Sequence, residues 1–569
     1  MAGGFTGFSM SATTRRGTSP RATWLGLAVL LMALTACGRA PATPSPPEEQ
    51  AAAKPATGGQ CEVGKEAWRS PGPPKRGGTL IRSSDTGDHM DITKGGRTAS
   101  SAMPQVYQGL LQLRGCFPTD TDVSPSLAAS WDVSPDGHTW TLKFWPDVKW
   151  QNKPPVNGRP FTSADAGWMI DFQKKEGMLA SYWEGVEHQE PDAGTLVLKT
   201  PAPDADFLKK LAFPQNIIMP HEIKDQYGDF RTVAVGTGAF MVKEFRPNQE
   251  LNLEVNPDYA SYGERGADGK PLPYVDAVKG PMLSDYAAEL AAMRAGNIDT
   301  NTLSGLRKLD ADDMAKAFPK FTTWRIVQFT YQALFFNLNR KPFDDQRVRK
   351  AAQLALDREE TIAANRGAVA HSGFVPPFLV DFAWPEEKVK EKFKADPAAA
   401  KKLLADAGFG TQEFELQTST VFAEDAELVQ KQLATAGIRT KVNAIPGTFT
   451  PILQKRDWDM AWGAPGGVLF VGYWMGDFVR SGSSRNYMQF SDPEVDRLAD
   501  AQLRELDPQK RKQVVDQEQD VLYDRMPWVP GMPKVFYHFL NCRVKNYQQL
   551  QPNYNPRSVL YAWVDPTGC

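Results

Sequence analysis

No apolar run in this chain is long enough to span a bilayer, which takes about 20 consecutive apolar residues. The longest, residues 24–34 (WLGLAVLLMAL), stops well short. Excess charge is also missing: 65 Lys and Arg stand against 67 Asp and Glu, a formal net charge of −2. That balance offers no electrostatic footprint for nucleic acid. Histidine is scarce and scattered, six in all, with no two within a helical turn. HExxH, GxSxG and GxxxxGK[ST] are all absent, so metal hydrolysis, acyl transfer and phosphate cradling lack their usual signatures. Gly236-Thr237-Gly238 has no strand–GxGxxG–helix context and reads as a structural turn. Five cysteines without a CxxC spacing argue against zinc. The chain thus lacks the marks of a catalytic or metal site, and no enzymatic activity, cofactor or metal is expected of it.

The N-terminal region is informative. Arg15, Arg16 and Arg21 precede the short apolar run and small residues follow it, the layout of a secretory signal. Leu34-Thr35-Ala36-Cys37 resembles a bacterial lipobox, which implies cleavage after residue 36 and lipidation of Cys37. Residues 38–60 are rich in proline and carry no aromatic or large aliphatic side chain, so they cannot bury enough apolar surface to order themselves. Residues 1–36 therefore read as a lipoprotein signal peptide and 37–76 as lipid anchor and tether, which places the folded body outside the cytoplasm at a membrane. The remaining cysteines, Cys61, Cys116, Cys542 and Cys569, are even in number, as expected of an exported chain. Four cysteines allow three pairings. The one expected is Cys61–Cys569 with Cys116–Cys542, stapling the start of the chain to its end.

At 569 residues the chain suits two or three domains. A strand pattern begins in residues 77–82, and helical spacing runs from 102 to 113 (Met103, Val106, Leu110, Leu113). Residues 131–133 and 139–144 read as a hairpin across Asp136-Gly137. Thr162-Ser163-Ala164-Asp165 opens a helix. Residues 240–245 and 251–255 form a strand pair. Helical stretches 287–295, 348–356, 398–407 and 426–436 follow, three of them with a glycine stop. Strands at 440–444 and 460–462 lie among them. This alternation predicts an α/β architecture.

In order along the chain stand VYQGLL (106–111), PSLAASW (125–131) with DGHTWTLKF after it, FTSADA (161–166), VGTGAF (235–240), NPDY (256–259) and MRAGNID (293–299). Phe336-Asn337 through Asp357-Arg358, AGF (407–409), AGI (436–438) and DWDM (457–460) continue the series. Together they resemble the family 5 extracellular solute-binding proteins of ABC transporters, from about residue 77 to 544. The resemblance implies a two-lobed, periplasmic-binding-protein-like fold (type II, large family 5 variant) with a subdomain inserted in the first lobe. By position, the first lobe would be 77–108, 231–334 and 531–569, the insertion 109–230 and the second lobe 335–530. It also implies capture of a solute by lobe closure and delivery to a membrane permease and its ATPase, by a monomeric receptor. A sensory or adhesive lipoprotein on the same fold is the alternative, and a secreted hydrolase the rival from another class.

The same resemblance places the ligand cleft beside the strand at 459–462. Trp462, Gly463 and Gly466 follow it, then Tyr473 and Trp474; aromatic faces stack on sugar rings or apolar groups, and glycines admit close approach. Phe336 and Asn337 fall at the first crossing between lobes, and Arg485 and Asn486 in a GSxxN-like loop. Peptide-binding members carry an aspartate in this segment. Here residues 462–474 contain none and Asp477 comes first, an apparent bias towards neutral, glycan-like or hydrophobic solutes. For nickel-type ligands, His371 is the nearest histidine.

Overall fold

The computed structural model describes residues 73–569 except 85–86, 95–96, 114–122, 262–263, 284, 302–304, 328–330, 366–368, 467–469 and 548–556. The signal, most of the tether, Cys37, Cys61 and Cys116 lie outside the described residues. No described helix is long and apolar enough to cross a membrane.

Three sheets organise the chain. The first strand, Thr79–Ile81, runs parallel to Ala277–Pro281, which pairs with Glu250–Val255 and that in turn with Phe240–Arg246. A second sheet is wholly antiparallel, in the order Ala128–Val133, Thr139–Phe144, Thr195–Lys199, Glu187–Asp192. The third has five strands in the order Arg439–Ile445, Glu413–Ser419, Met460–Gly463, Ala333–Phe336, Trp528–Pro530. Its strand Glu413–Ser419 runs parallel to both neighbours. Helix Ala423–Ala436 supplies the crossover to Arg439–Ile445 that parallel pairing requires. Every residue of Ala333–Phe336, Met460–Gly463 and Trp528–Pro530 is buried. Their sequences are correspondingly apolar.

Local signals account for most elements. Asp136-Gly137 does turn the hairpin, with Gly137 at φ +70°. In helix Ser163–Glu176, the Asp165 carboxylate reaches back to accept the Thr162 N–H at 2.9 Å. Arg159 braces that carboxylate from the other side at 2.6 Å. Helix Ala423–Ala436 stops at Gly437, φ +96°. Gly236 and Gly238 pack on the end of helix Arg97–Val106, where an added Cβ would lie 2.0 and 2.6 Å from backbone oxygens. That turn is structural.

Two expectations are corrected. The helix expected over 102–113 spans Arg97–Val106, and Leu111–Leu113 is instead a strand paired with Val123–Pro125. Gly109 turns the chain by a bridge to Ile217, which removes the second half of the apolar stripe from the helix. The disulfide pairing also differs: Cys542 bonds Cys569, with Cα atoms 5.3 Å apart. The chain after strand Val535–Leu540 turns back through Val544–Lys545 and Trp563–Val564, which pair antiparallel. This return brings the last residue beside Cys542, so neither cysteine is left for Cys61 or Cys116.

The chain passes twice between the first-sheet region and the five-stranded sheet. On one side of the passage Thr322–Val327 pairs antiparallel with Val535–Leu540; on the other Ala333–Phe336 pairs with Trp528–Pro530. The strands that flank the two connections are therefore paired at both ends. At Gly531 an added Cβ would fall 2.1 Å from the Gln332 carbonyl oxygen, a close approach that only glycine allows.

Candidate functional site

The residues expected at the cleft separate into three groups. Phe336, Asn337, Trp474 and Asn486 do structural work. Phe336 is wholly buried and stacks on Phe343, ring centroids 5.6 Å apart. The Asn337 amide donates to the Arg456 carbonyl at 3.0 Å and its N–H to Asp459 O at 3.1 Å. Trp474 is buried against Tyr331, 4.9 Å between centroids. The Asn486 amide staples its own loop, donating to Phe490 O at 2.7 Å while its oxygen accepts the Phe490 N–H at 3.0 Å. Gly463 gives space to Phe449: a Cβ there would meet that ring at 2.6 Å.

Trp462 belongs to a second setting, the wall of a small cavity beside the paired crossings. Its indole N–H donates to Gln332 Oε1 at 2.7 Å. Arg358, Asp425, Gly531 and Met532 line the same cavity.

Gly466, Tyr473 and Arg485 meet in a third. The Tyr473 hydroxyl donates to the Gly466 carbonyl at 2.8 Å and accepts from Arg485 Nη1 at 3.3 Å. The guanidinium lies over the same ring, 5.0 Å from its centroid. Tyr473 opens the five-residue π-helical turn Tyr473–Asp477, closed by the Phe478 N–H to Tyr473 O bond. Such turns widen a helix locally and recur at binding sites.

Against this turn packs a segment for which the sequence offered no signal. Asp206, the residue before helix Phe207–Leu211, is fully buried, and both its oxygens accept from Arg511, at 2.8 and 2.7 Å. Its Oδ2 also accepts the Gly472 N–H at 2.8 Å. Gln502 Oε1 accepts from two further Arg511 donors at 3.1 and 2.8 Å. Burial pushes the Asp206 carboxyl up, but the Arg511 charge and hydrogen bonds outweigh it and hold the group at about 2. One turn on, Lys210 pairs with Asp204 at 2.6 Å and lies 5.9 Å above the Phe470 ring. Tyr182 meets Phe470 edge-on at 5.6 Å.

Asp477 closes the turn on this side. Burial raises its carboxyl pKa, against the lowering pull of Lys210 and Arg485. Arg485 is desolvated too, yet Tyr473, Tyr182 and Asp477 push its pKa up. An acid just past the segment thus acts electrostatically on Arg485. The backbone turn brings Asp477 back towards Tyr473 and Arg485, which its sequence distance from Trp462 concealed. His371 lies elsewhere, 3.3 Å from Glu359. Among the described residues, no group of three or more His, Cys, Asp or Glu is arranged to hold a metal ion.

The paired crossings, the α/β sheets and the polar cluster are those of a binding protein built in lobes. Residues 122–487 match the bacterial extracellular solute-binding proteins, family 5, in that family's middle region. The chain belongs to this family, and it is the extracytoplasmic solute-binding component of an ABC importer.

Among its relatives is an ABC transporter-binding protein of Deinococcus radiodurans, 26% identical over 444 residues, 68% of this chain and 73% of that one. Glutathione-binding protein GsiB of Salmonella typhi is 24% identical over 453 residues, 74% of this chain and 82% of that one. Among solved structures, the periplasmic binding protein DppA of Helicobacter pylori, in complex with the peptide STSA, superposes with a TM-score of 0.71 at 20% identity. The match covers 86% of this chain and 99% of that one. The two-lobed type II fold is thereby established.

Proposed function

We propose that the solute is captured between a first lobe of residues 77–108, 231–334 and 531–569 and a second lobe of residues 335–530. Residues 109–230 are the insertion. The observation that carries this reading is the strand pairing on either side of the two connections, Thr322–Val327 with Val535–Leu540 and Ala333–Phe336 with Trp528–Pro530. Two adjacent connections let one lobe rotate on the other with dihedral changes confined to a few residues. A solute touching both lobes then favours the closed form by its difference in affinity for the two forms.

Tyr473, Arg485 and Asp477 from the second lobe, with Lys210 from the insertion, are the groups we place nearest the solute. Their mixed charge suits a polar, ionised solute, and a relative named for glutathione binding supports that class. The chain binds its solute without turning it over and works as a monomer. Cys37 carries the lipid that holds it near its permease, while ATP hydrolysis takes place on a separate subunit.

The test starts from native mass spectrometry of the freshly purified protein, which is expected to show a co-purified small molecule. Spin labels at exposed Lys279 and Lys441, one on each lobe, then report closure. Adding the solute back should shorten and narrow the distance distribution. An unchanged distribution with solute bound refutes closure, and unaltered uptake in a deletion strain refutes the transport role in favour of sensing.

A further inference from the structure

Arg358 is the most exceptional cation in the described structure. It sits at the start of helix Arg358–Ala364, just after its N-cap Asp357, and is buried. An arginine so placed almost always faces a carboxylate. Among the described residues Arg358 has none: Nη1 donates to Ser372 O at 2.7 Å and Nη2 to Pro530 O, and the guanidinium lies 4.3 Å from the centroid of Phe393. Two carbonyls and a ring face leave the rest of its five N–H donors unused by the described protein. Burial without an opposing charge pushes its pKa down to about 9.

The guanidinium lines the cavity beside the crossings, about 30 Å³ in volume, whose other walls include Trp462, Gln332 and Val429. The one acid there, Asp425, is already engaged: Lys534 pairs with it at 2.8 Å and the Gln332 amide donates to it at 2.9 Å. The space admits a halide or the head of a carboxylate, and little more. Because Gln332 lies on the first crossing and Gly531 and Met532 on the second, an occupant would touch both connections at once.

The geometry points to a compact-anion site at Arg358, filled either by a free monovalent anion or by the carboxylate of the captured solute, and seated on the hinge. In its second form it rests on the proposed solute-binding reading; in its first it does not. A planar guanidinium binds a carboxylate bidentately, and its charge is large for an apolar pocket.

Sodium formate and sodium bromide are titrated into the full chain at constant ionic strength, with gluconate as the balancing salt, and followed by thermal denaturation and calorimetry. The wild type should show a saturable rise in Tm with both. Crystals soaked in bromide should show an anomalous peak beside Arg358. Arg358→Gln should weaken formate binding by about tenfold or more. That variant also loses its bonds to Ser372 and Pro530, so Val429→Phe, which fills the cavity and leaves Arg358 in place, is the companion. It should abolish the salt effect while retaining the wild-type circular dichroism spectrum.

Displacement of bromide by the co-purified solute assigns the site to the solute's carboxylate; indifference to the solute assigns it to a free anion. No saturable shift and no bromide peak overturn the inference. Co-purified solute still seen by native mass spectrometry would then leave the receptor function standing.

Discussion

Replacing Asp206 by Ala removes the acid from the most completely buried ion pair among the described residues. Its partner Arg511 would keep only Gln502 as a side-chain acceptor, and the Gly472 N–H would lose its acceptor altogether. Removing one member of a buried pair costs about 3–5 kcal/mol, because the other charge stays desolvated. The proton equilibrium gives an independent figure. A fall from 3.8 to about 2 corresponds to roughly 2 kcal/mol favouring the charged form. The sign follows from linkage: a carboxyl depressed in the folded state contributes stability above its unfolded value of 3.8, lost as pH falls towards 2. The variant should therefore be destabilised at pH 7 and should lack the wild type's acid-dependent loss between about pH 4 and 2.

Urea unfolding measures the first effect, and hydrogen exchange at the Gly472 amide reports the local one. Arg511→Met alone should also destabilise, and combining it with Asp206→Ala should recover part of the loss, since no charge is then stranded. The reasoning fails if Asp206→Ala lies within about 1 kcal/mol of wild type, or if the two substitutions are simply additive.

Four further outcomes are expected. Trp474→Ala should destabilise the protein by about 3–5 kcal/mol, since the ring is buried on Tyr331; wild-type stability with weakened solute binding would restore a direct ligand role. Glu518 is buried with neither oxygen hydrogen-bonded by the described residues, and burial raises its pKa well above 4.5, so it contributes stability below that value and loses it as pH rises. Glu518→Gln should match the wild type near pH 4 and be the more stable at pH 8; parallel stability curves would contradict this. Opening the Cys542–Cys569 bond by Ser at both positions should cost about 2–4 kcal/mol in thermal unfolding; an unchanged Tm would show the bond to be dispensable. Gly531→Ala forces a Cβ onto the Gln332 carbonyl, so spin labels on the two lobes should report an altered resting distance, and an unaltered one would dismiss Gly531 as a hinge constraint.

What could be read from the residue order was whatever depends on neighbours. Alternating apolar residues, Asp136-Gly137, Thr162 with Asp165, and glycine after residue 436 each act within a few positions, and each formed as its local chemistry dictates. The family was legible for the same reason, since its markers are short turns and caps in fixed order.

Tertiary structure decided the rest. Nothing in sequence links Asp206 to Arg511, 305 positions apart; only the packing of the segment around Asp206 on the π-helical turn makes a buried pair of them. The partner of Cys542 likewise depended on where the last strands return. Trp474 and Phe336 have the composition of a cleft and the position of a core, and composition cannot distinguish the two, because the same apolar face serves either. Asp477, by contrast, lies beyond the expected segment in sequence and within it in space, because a π-turn advances the chain differently from a strand. Short-range order named the kind of protein this is, and long-range contacts chose which of its side chains are left to meet a solute.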